Sequence, residues 1–221
     1  MPATARPAHG EGRDAILQAA ITVVAAKGLR GLTFRAVAAE AGVSHALITY
    51  FFPTRDHLIH EAMRVASTNT AEATLDPARG LGLAAITEEF PRSIRAQLEN
   101  QAFQYELTLE ACRQPALYAD AIELIETNLA ALDRYLRSLG VATTPGLVRV
   151  IYAALDGLVL QELLASAAQD AGVDLAAKAR YLGTALEDGA LDELVAWITD
   201  ALPTATVTAI VAERHADPSA P

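Results

Sequence analysis

Apolar residues recur at helical spacing along most of the chain. Ile16, Ala20, Val23 and Val24 stand at i, i+4, i+7 and i+8, which places them on one face of a helix starting at Arg13. Gly28 and Gly31 are expected to end it, because glycine takes left-handed dihedrals cheaply. Thr33 then caps a short helix whose buried stripe is Phe34, Val37, Ala38 and Ala41, and Gly42 stops it. Ser44 caps a third helix over 45–51, and Thr54, after Pro53, caps a fourth over 55–70. The stretch TLDPARG at 74–80 reads as a boundary. Beyond it the pattern predicts helices near 79–89, 92–113, 116–139, 146–168, 174–186 and 188–201, broken at Pro91, Pro115, residues 139–146, Gly172 and residues 187–189. No strand-turn-strand pattern or fixed repeat occurs, so the fold class is all-α, with about nine or ten helices.

The stretch AGVSHALITYFFPTRDHL at 41–58 sets three aromatics beside a helix of two turns. So short a helix is not stable alone in water and needs bulky anchors. Ile48, Phe51 and Phe52 are predicted to face inward as those anchors, with Val43 as an apolar plug at the turn. Helix 33–41, the Gly42-Val43 turn and helix 45–51 have the length and punctuation of a helix-turn-helix. A recognition helix must keep one face free for the major groove. Ser44, His45, Thr49 and Tyr50 form that free face, with Ala46 small enough for close approach.

These residues resemble the DNA-binding domain of the TetR family of bacterial transcriptional regulators. The resemblance rests on Thr33 before FRAVAAEAGVS, on ITYFF at 48–52 and on PTRDHL at 53–58, and covers residues 13–65. Two positions depart from the family pattern: its usual tyrosine is Thr49 here, and its usual lysine at the start of helix four is Arg55. The resemblance implies an N-terminal three-helix helix-turn-helix domain (13–55) behind a flexible arm (1–12). It further implies a larger effector-binding and dimerisation domain (56–202), reached through helix four, and a mostly flexible tail (203–221). It also implies roles. Thr33, Ser44, Thr49, Tyr50 and Arg55 would contact phosphates, Arg35 would reach the backbone, and His45, with Ala46 and Tyr50, would read base edges. The plainer alternative for Thr33, Ser44 and Thr54 is that each only caps a helix. Tyr50 and Arg55 favour DNA contact more, being needed neither to cap nor to fill the core.

The implied partners are double-stranded operator DNA, a small-molecule effector and a second copy of the chain. YAALDGLVLQELL at 152–164 resembles a helix of the choline-repressor-related branch. Its small residues allow close helix approach, so 146–168 and the last helix are expected to form a four-helix dimer interface through Leu160, Leu163, Leu194, Trp197 and Ile198. For the effector, helix 92–113 presents Ile94, Leu98, Ala102, Tyr105, Leu109 and Cys112 on one face and Gln97, Gln101, Gln104 and Thr108 on another. Two readings stand: a pocket wall built from Gln101, Tyr105, Thr108 and Cys112 together with Tyr152 and Asp156, or a buried apolar stripe beside solvated amides. As a small core residue, Cys112 is preferred to a reactive thiol.

Composition narrows the field. At 52% hydrophobic and 20% charged residues, the 221-residue chain has ample material for a core. The net charge of −10 disfavours non-specific coating of nucleic acid. The charge is uneven, however: residues 1–60 carry six bases against four acids, the remainder eleven against 23. The lone cysteine, the absence of a signal-like start and the absence of an 18-residue apolar run point to a cytoplasmic protein without a membrane span. HLIHE at 57–61 has metal-like spacing but no second ligand cluster, so no metal is expected. No phosphate loop, nucleophile elbow or paired metal motif is present, so no cofactor and no enzymatic activity are expected. The alternative is an all-helical enzyme, or a protein-binding module whose helix-turn-helix does not bind DNA.

Overall fold

The computed structural model describes residues 9–74, 86–173 and 189–197, and among them every regular element is helical. In chain order these are α1 (His9–Lys27), a 3-10 turn (Leu29–Gly31), α2 (Phe34–Ala41), α3 (His45–Phe51), α4 (Arg55–Thr74), α5 (Ile86–Arg95), α6 (Leu98–Ala111), a second 3-10 turn (Pro115–Leu117), α7 (Tyr118–Ser138) and α8 (Pro145–Asp170). A last helix, α9, covers 190–197.

The chain divides into two compact units, residues 1–73 with 96–128, and 74–95 with 129–221. In the first, α1 packs on α2 and α6. Ile16, Leu17, Ile21 and Val24 of α1 share one core with Val37, Ile48, Phe52, Leu58, Met63, Phe103 and Leu107. Because α1 is covered from two sides, its buried face is wider than the single stripe expected from spacing. In the second unit, Phe90 and Ile94 of α5, Leu132 and Leu136 of α7, Val148, Ile151 and Leu155 of α8, and Leu191 of α9 are buried.

Four expectations need correction. Helix α1 begins at His9, so the arm expected over 1–12 gives up its last four residues; Gly12 is buried, and packing outweighs the weak helix propensity of glycine. Pro91 lies inside α5 instead of ending it. Its ring costs one helical hydrogen bond, but Phe90, Pro91 and Ile94 are all buried, and the break falls at residues 96–97. Gly31 does not take a positive φ. A Cβ there would stand 2.6 Å from Lys27 Cβ, so glycine is required for space.

The fourth correction concerns α6, where the reading of a buried apolar stripe beside solvated amides fails at Gln101, Gln104, Leu109 and Cys112. Asn100, Gln101 and Gln104 are buried beside Phe103 and Leu107, whereas Leu109 and Cys112 are exposed. Gln104 is tolerable inside because its amide is met, whereas Asn100 Oδ1 is buried without a partner among the described residues. Gln104 Nε2 donates to Thr70 Oγ1 (3.0 Å) and to the Ala66 carbonyl (3.4 Å), while Gln104 Oε1 accepts from Asn128 Nδ2 (3.0 Å). The helix expected over 174–186, the tail over 203–221 and most of the 74–80 boundary lie outside the described residues.

Candidate nucleic-acid interface and ligand-binding residues

The helix-turn-helix is set by three hydroxyl caps and one glycine. Thr33 Oγ1 accepts the Ala36 N–H (3.1 Å), Ser44 Oγ the Leu47 N–H (3.2 Å), and Thr54 Oγ1 the His57 N–H (3.1 Å). Gly42 closes α2 in the left-handed region (φ 64, ψ 28), which a Cβ would strain. Val43 is partly buried at the turn, as its plug role requires. Ile48 and Phe52 are fully buried, and Phe51 packs part-buried beside them. The Arg13 guanidinium lies over the Phe52 ring, 5.6 Å from its centroid, and pairs with Glu61, joining α1 to α4 across the anchor.

What the core does not use is exposed. Thr33, Arg35, Ser44, His45, Ala46, Thr49 and Tyr50 all stand in solvent, Tyr50 at 66%. The caps do not compete with phosphate contact. Each cap accepts a backbone N–H through an oxygen lone pair, and the hydroxyl hydrogen can still donate to a phosphate. Thr49 differs, because its hydroxyl points back at the His45 and Ala46 carbonyls (3.3 and 3.1 Å). Its single hydrogen must leave the helix before it can serve a phosphate.

Arg55 has a structural task that sequence reasoning missed. It is half-buried, and its Nη2 donates to the Leu29 carbonyl (2.6 Å) and its Nε to the Leu32 carbonyl (3.0 Å). The same turn is held from α6. Glu106 Oε2 accepts the Leu29 N–H (3.3 Å), and Glu110 Oε1 stands 3.5 Å from Arg30 Nε. Gly28 (φ 68, ψ 168) makes room, since a Cβ there would meet Glu106 Oε2 at 3.1 Å. Glu106 and Glu110 carry no local sequence signal for this role; their partners lie 77 and 80 residues away. The Glu110 carboxyl is held below the ordinary carboxylate value first by the Gln114 amide and then by Arg113 and Arg30, against burial that pushes it up.

The expected effector residues fall in both units. Gln101 is buried, Tyr105 and Thr108 are half-buried and Cys112 is exposed along one line of α6 in the first; Tyr152 and Asp156, half-buried, lie about one turn apart on α8 in the second. Exposure of Cys112 corrects its expected place in the core: it stands one residue beyond the last helical position of α6, past the buried face. Of the expected dimer residues, Leu160 and Trp197 are exposed, Leu163 and Leu194 half-buried, and Ile198 lies outside the described residues. Among the described residues no cluster of His, Cys, Asp and Glu could hold a metal, and no helix is long and apolar enough to cross a membrane.

Capped short helices, a glycine turn and an exposed polar face over a buried anchor define a helix-turn-helix DNA-binding protein. Residues 16–62 match the description "Bacterial regulatory proteins, tetR family", and residues 78–188 match "Tetracyclin repressor-like, C-terminal domain". The chain belongs to the TetR family of transcriptional regulators. A TetR-family member from Streptomyces coelicolor A3 is 32% identical over 83% of this chain and 96% of its own, with a TM-score of 0.56. The multidrug binding protein EbrR, complexed with ethidium, is 31% identical over 85% of this chain and 98% of its own, with a TM-score of 0.52. A regulator from Saccharomonospora viridis in complex with choline shares the fold at 18% identity, covering 88% of this chain and 97% of its own, with a TM-score of 0.57. No curated protein matches the chain.

Proposed function

We propose that this DNA-binding regulator is a cytoplasmic homodimeric repressor, released from its operator by a small molecule bound in the helical part that follows the reading head. The head would be residues 13–55, and the effector and dimer functions would fall in 56–202. One observation carries the DNA assignment: Ser44 and Thr33 cap their helices and keep hydroxyl hydrogens on an exposed surface shared with Arg35, His45 and Tyr50. Two such heads in a dimer would meet successive major grooves about 34–36 Å apart on a near-palindromic site. Exposure of Leu160 and Leu164 on α8 and of Trp197 on α9 supports pairing through these helices. The capture of ethidium by EbrR supports a planar aromatic effector. Useful release needs about 1–3 kcal/mol or more of coupling between effector and operator. No enzymatic role is assigned.

The test is fluorescence anisotropy on duplexes tiled across the DNA upstream of the protein's own gene, at two salt concentrations and with or without ethidium. Tight, salt-sensitive binding to one duplex, weakened by ethidium, is the expected result. Equal binding to all duplexes, or none at low salt, overturns the operator reading.

A further inference from the structure

The second unit holds a buried carboxylate with one oxygen left over. Glu162 of α8 is 4% exposed, and its Oε1 accepts from Arg95 Nε of α5 at 2.7 Å. Its Oε2 is buried and meets no hydrogen-bond donor among the described residues. Leu155, Val159 and Ala165, at seven and three residues before and three after, are buried on the same side of the helix. Asp156, six residues earlier, falls on a different face at 3.6 residues per turn.

Burying an ionised carboxylate is costly unless its oxygens are met, and native interiors leave few acceptors unmet. The ion pair with Arg95 answers the charge but uses only one oxygen. Arg95 is itself exposed, and an ion pair whose partner reaches solvent adds little stability of its own. Arg95 does, however, fix the carboxylate, so that Oε2 is held in a set direction.

We propose that Glu162 anchors the effector by accepting an N–H or O–H donor at Oε2, which rests on the effector reading above. The ligand class follows from the chemistry: an apolar molecule bearing an amine, amide or hydroxyl, and not an anion, which the carboxylate would repel. Arg95 is the positioning residue.

Ethidium, a flat phenanthridinium cation with two aromatic amino groups, and its equally charged analogue lacking both amino groups are the probes. Both are titrated by calorimetry into the full chain and into Glu162→Gln, with heat unfolding followed by circular dichroism. The parent is expected to bind ethidium about ten-fold more tightly than the analogue, one charge-assisted hydrogen bond's worth. In Glu162→Gln that preference disappears, and both cations lose the carboxylate's attraction to a similar degree. Unchanged ethidium binding by the folded variant overturns the anchor and leaves Oε2 to water. If the variant does not fold, the parent decides alone, and equal affinity for the two probes overturns the proposal. Failure of the parent to bind ethidium overturns the anchor together with the effector reading for this class. Ethidium that binds through Glu162 without releasing operator DNA upholds the anchor and sinks only the switch.

Discussion

The Nη2 of Arg55 lies 2.6 Å from the carbonyl oxygen of Leu29, so the first residue of α4 holds the turn that separates α1 from α2. Its Nε takes the Leu32 carbonyl as well, and a lysine cannot span both acceptors. Arg55→Lys and Arg55→Ala are both expected to lower unfolding free energy by about 1–3 kcal/mol in urea titrations. Operator affinity should fall in both through the loosened head. If Arg55→Lys matches the parent in stability, the fork is not what holds the turn.

Tyr50 gives the opposite pattern. It is largely exposed, resting edge-on against Phe51 with ring centroids 5.1 Å apart. Tyr50→Ala should change stability by less than about 1 kcal/mol and weaken operator binding by about 1.5–3 kcal/mol, the worth of a hydrogen bond to a charged phosphate. Anisotropy at fixed salt decides; parent-like affinity removes Tyr50 from the interface.

Ser44→Asp separates capping from DNA contact. Aspartate caps a helix as well as serine does, so the melting temperature should stay near that of the parent. It also sets a negative charge where a phosphate is expected, and operator binding should fall about ten-fold or more. Retained binding would mean that the Ser44 hydroxyl faces no phosphate.

Acid should loosen the link between α6 and the turn at Arg30. The folded Glu110 carboxyl lies below its ordinary value of 4.5, so the stability it contributes is fully present above that value and lost as pH falls through the folded one. Thermal melts stepped downward from pH 4.5 should show a steeper decline for the parent than for Glu110→Gln. Parallel curves would exclude Glu110 as a source of acid sensitivity.

Trp197→Glu is expected to yield monomers on sizing, with loss of binding to a two-half-site operator. Trp197 is 46% exposed within one chain, and Leu160 and Leu164 on α8 are more so. An unchanged dimer would move the interface to another face.

The reading head was legible because its rules are local. Thr33, Ser44 and Thr54 bond three residues ahead, Gly42 acts on its own backbone, and Ile48 and Phe52 obey helical spacing. What was not legible depends on distant partners. Gln104 reads as a solvated amide until Ala66, Thr70 and Asn128 are brought around it. Arg55 reads as a charge for DNA until the carbonyls of Leu29 and Leu32, more than twenty residues away, fold under it. Pro91 reads as a break until burial of its neighbours outweighs one lost bond. Glu162 sits in an apolar run, and nothing local marks it as buried or reveals Arg95 as its partner.

The Ser44 cap has a consequence for the timing of motion in the head. Helix α3 has seven residues, and the Leu47 amide is tied at its N-terminal end by the serine oxygen. A phosphate that took the same hydroxyl's hydrogen would polarise that oxygen and fix its rotor, strengthening the bond to Leu47. Operator DNA would then slow the local opening of α3 and not merely cover it, and deuterium uptake at the Leu47 amide would lag on DNA even though that amide faces its own chain. The recognition helix would complete its folding on the operator it reads.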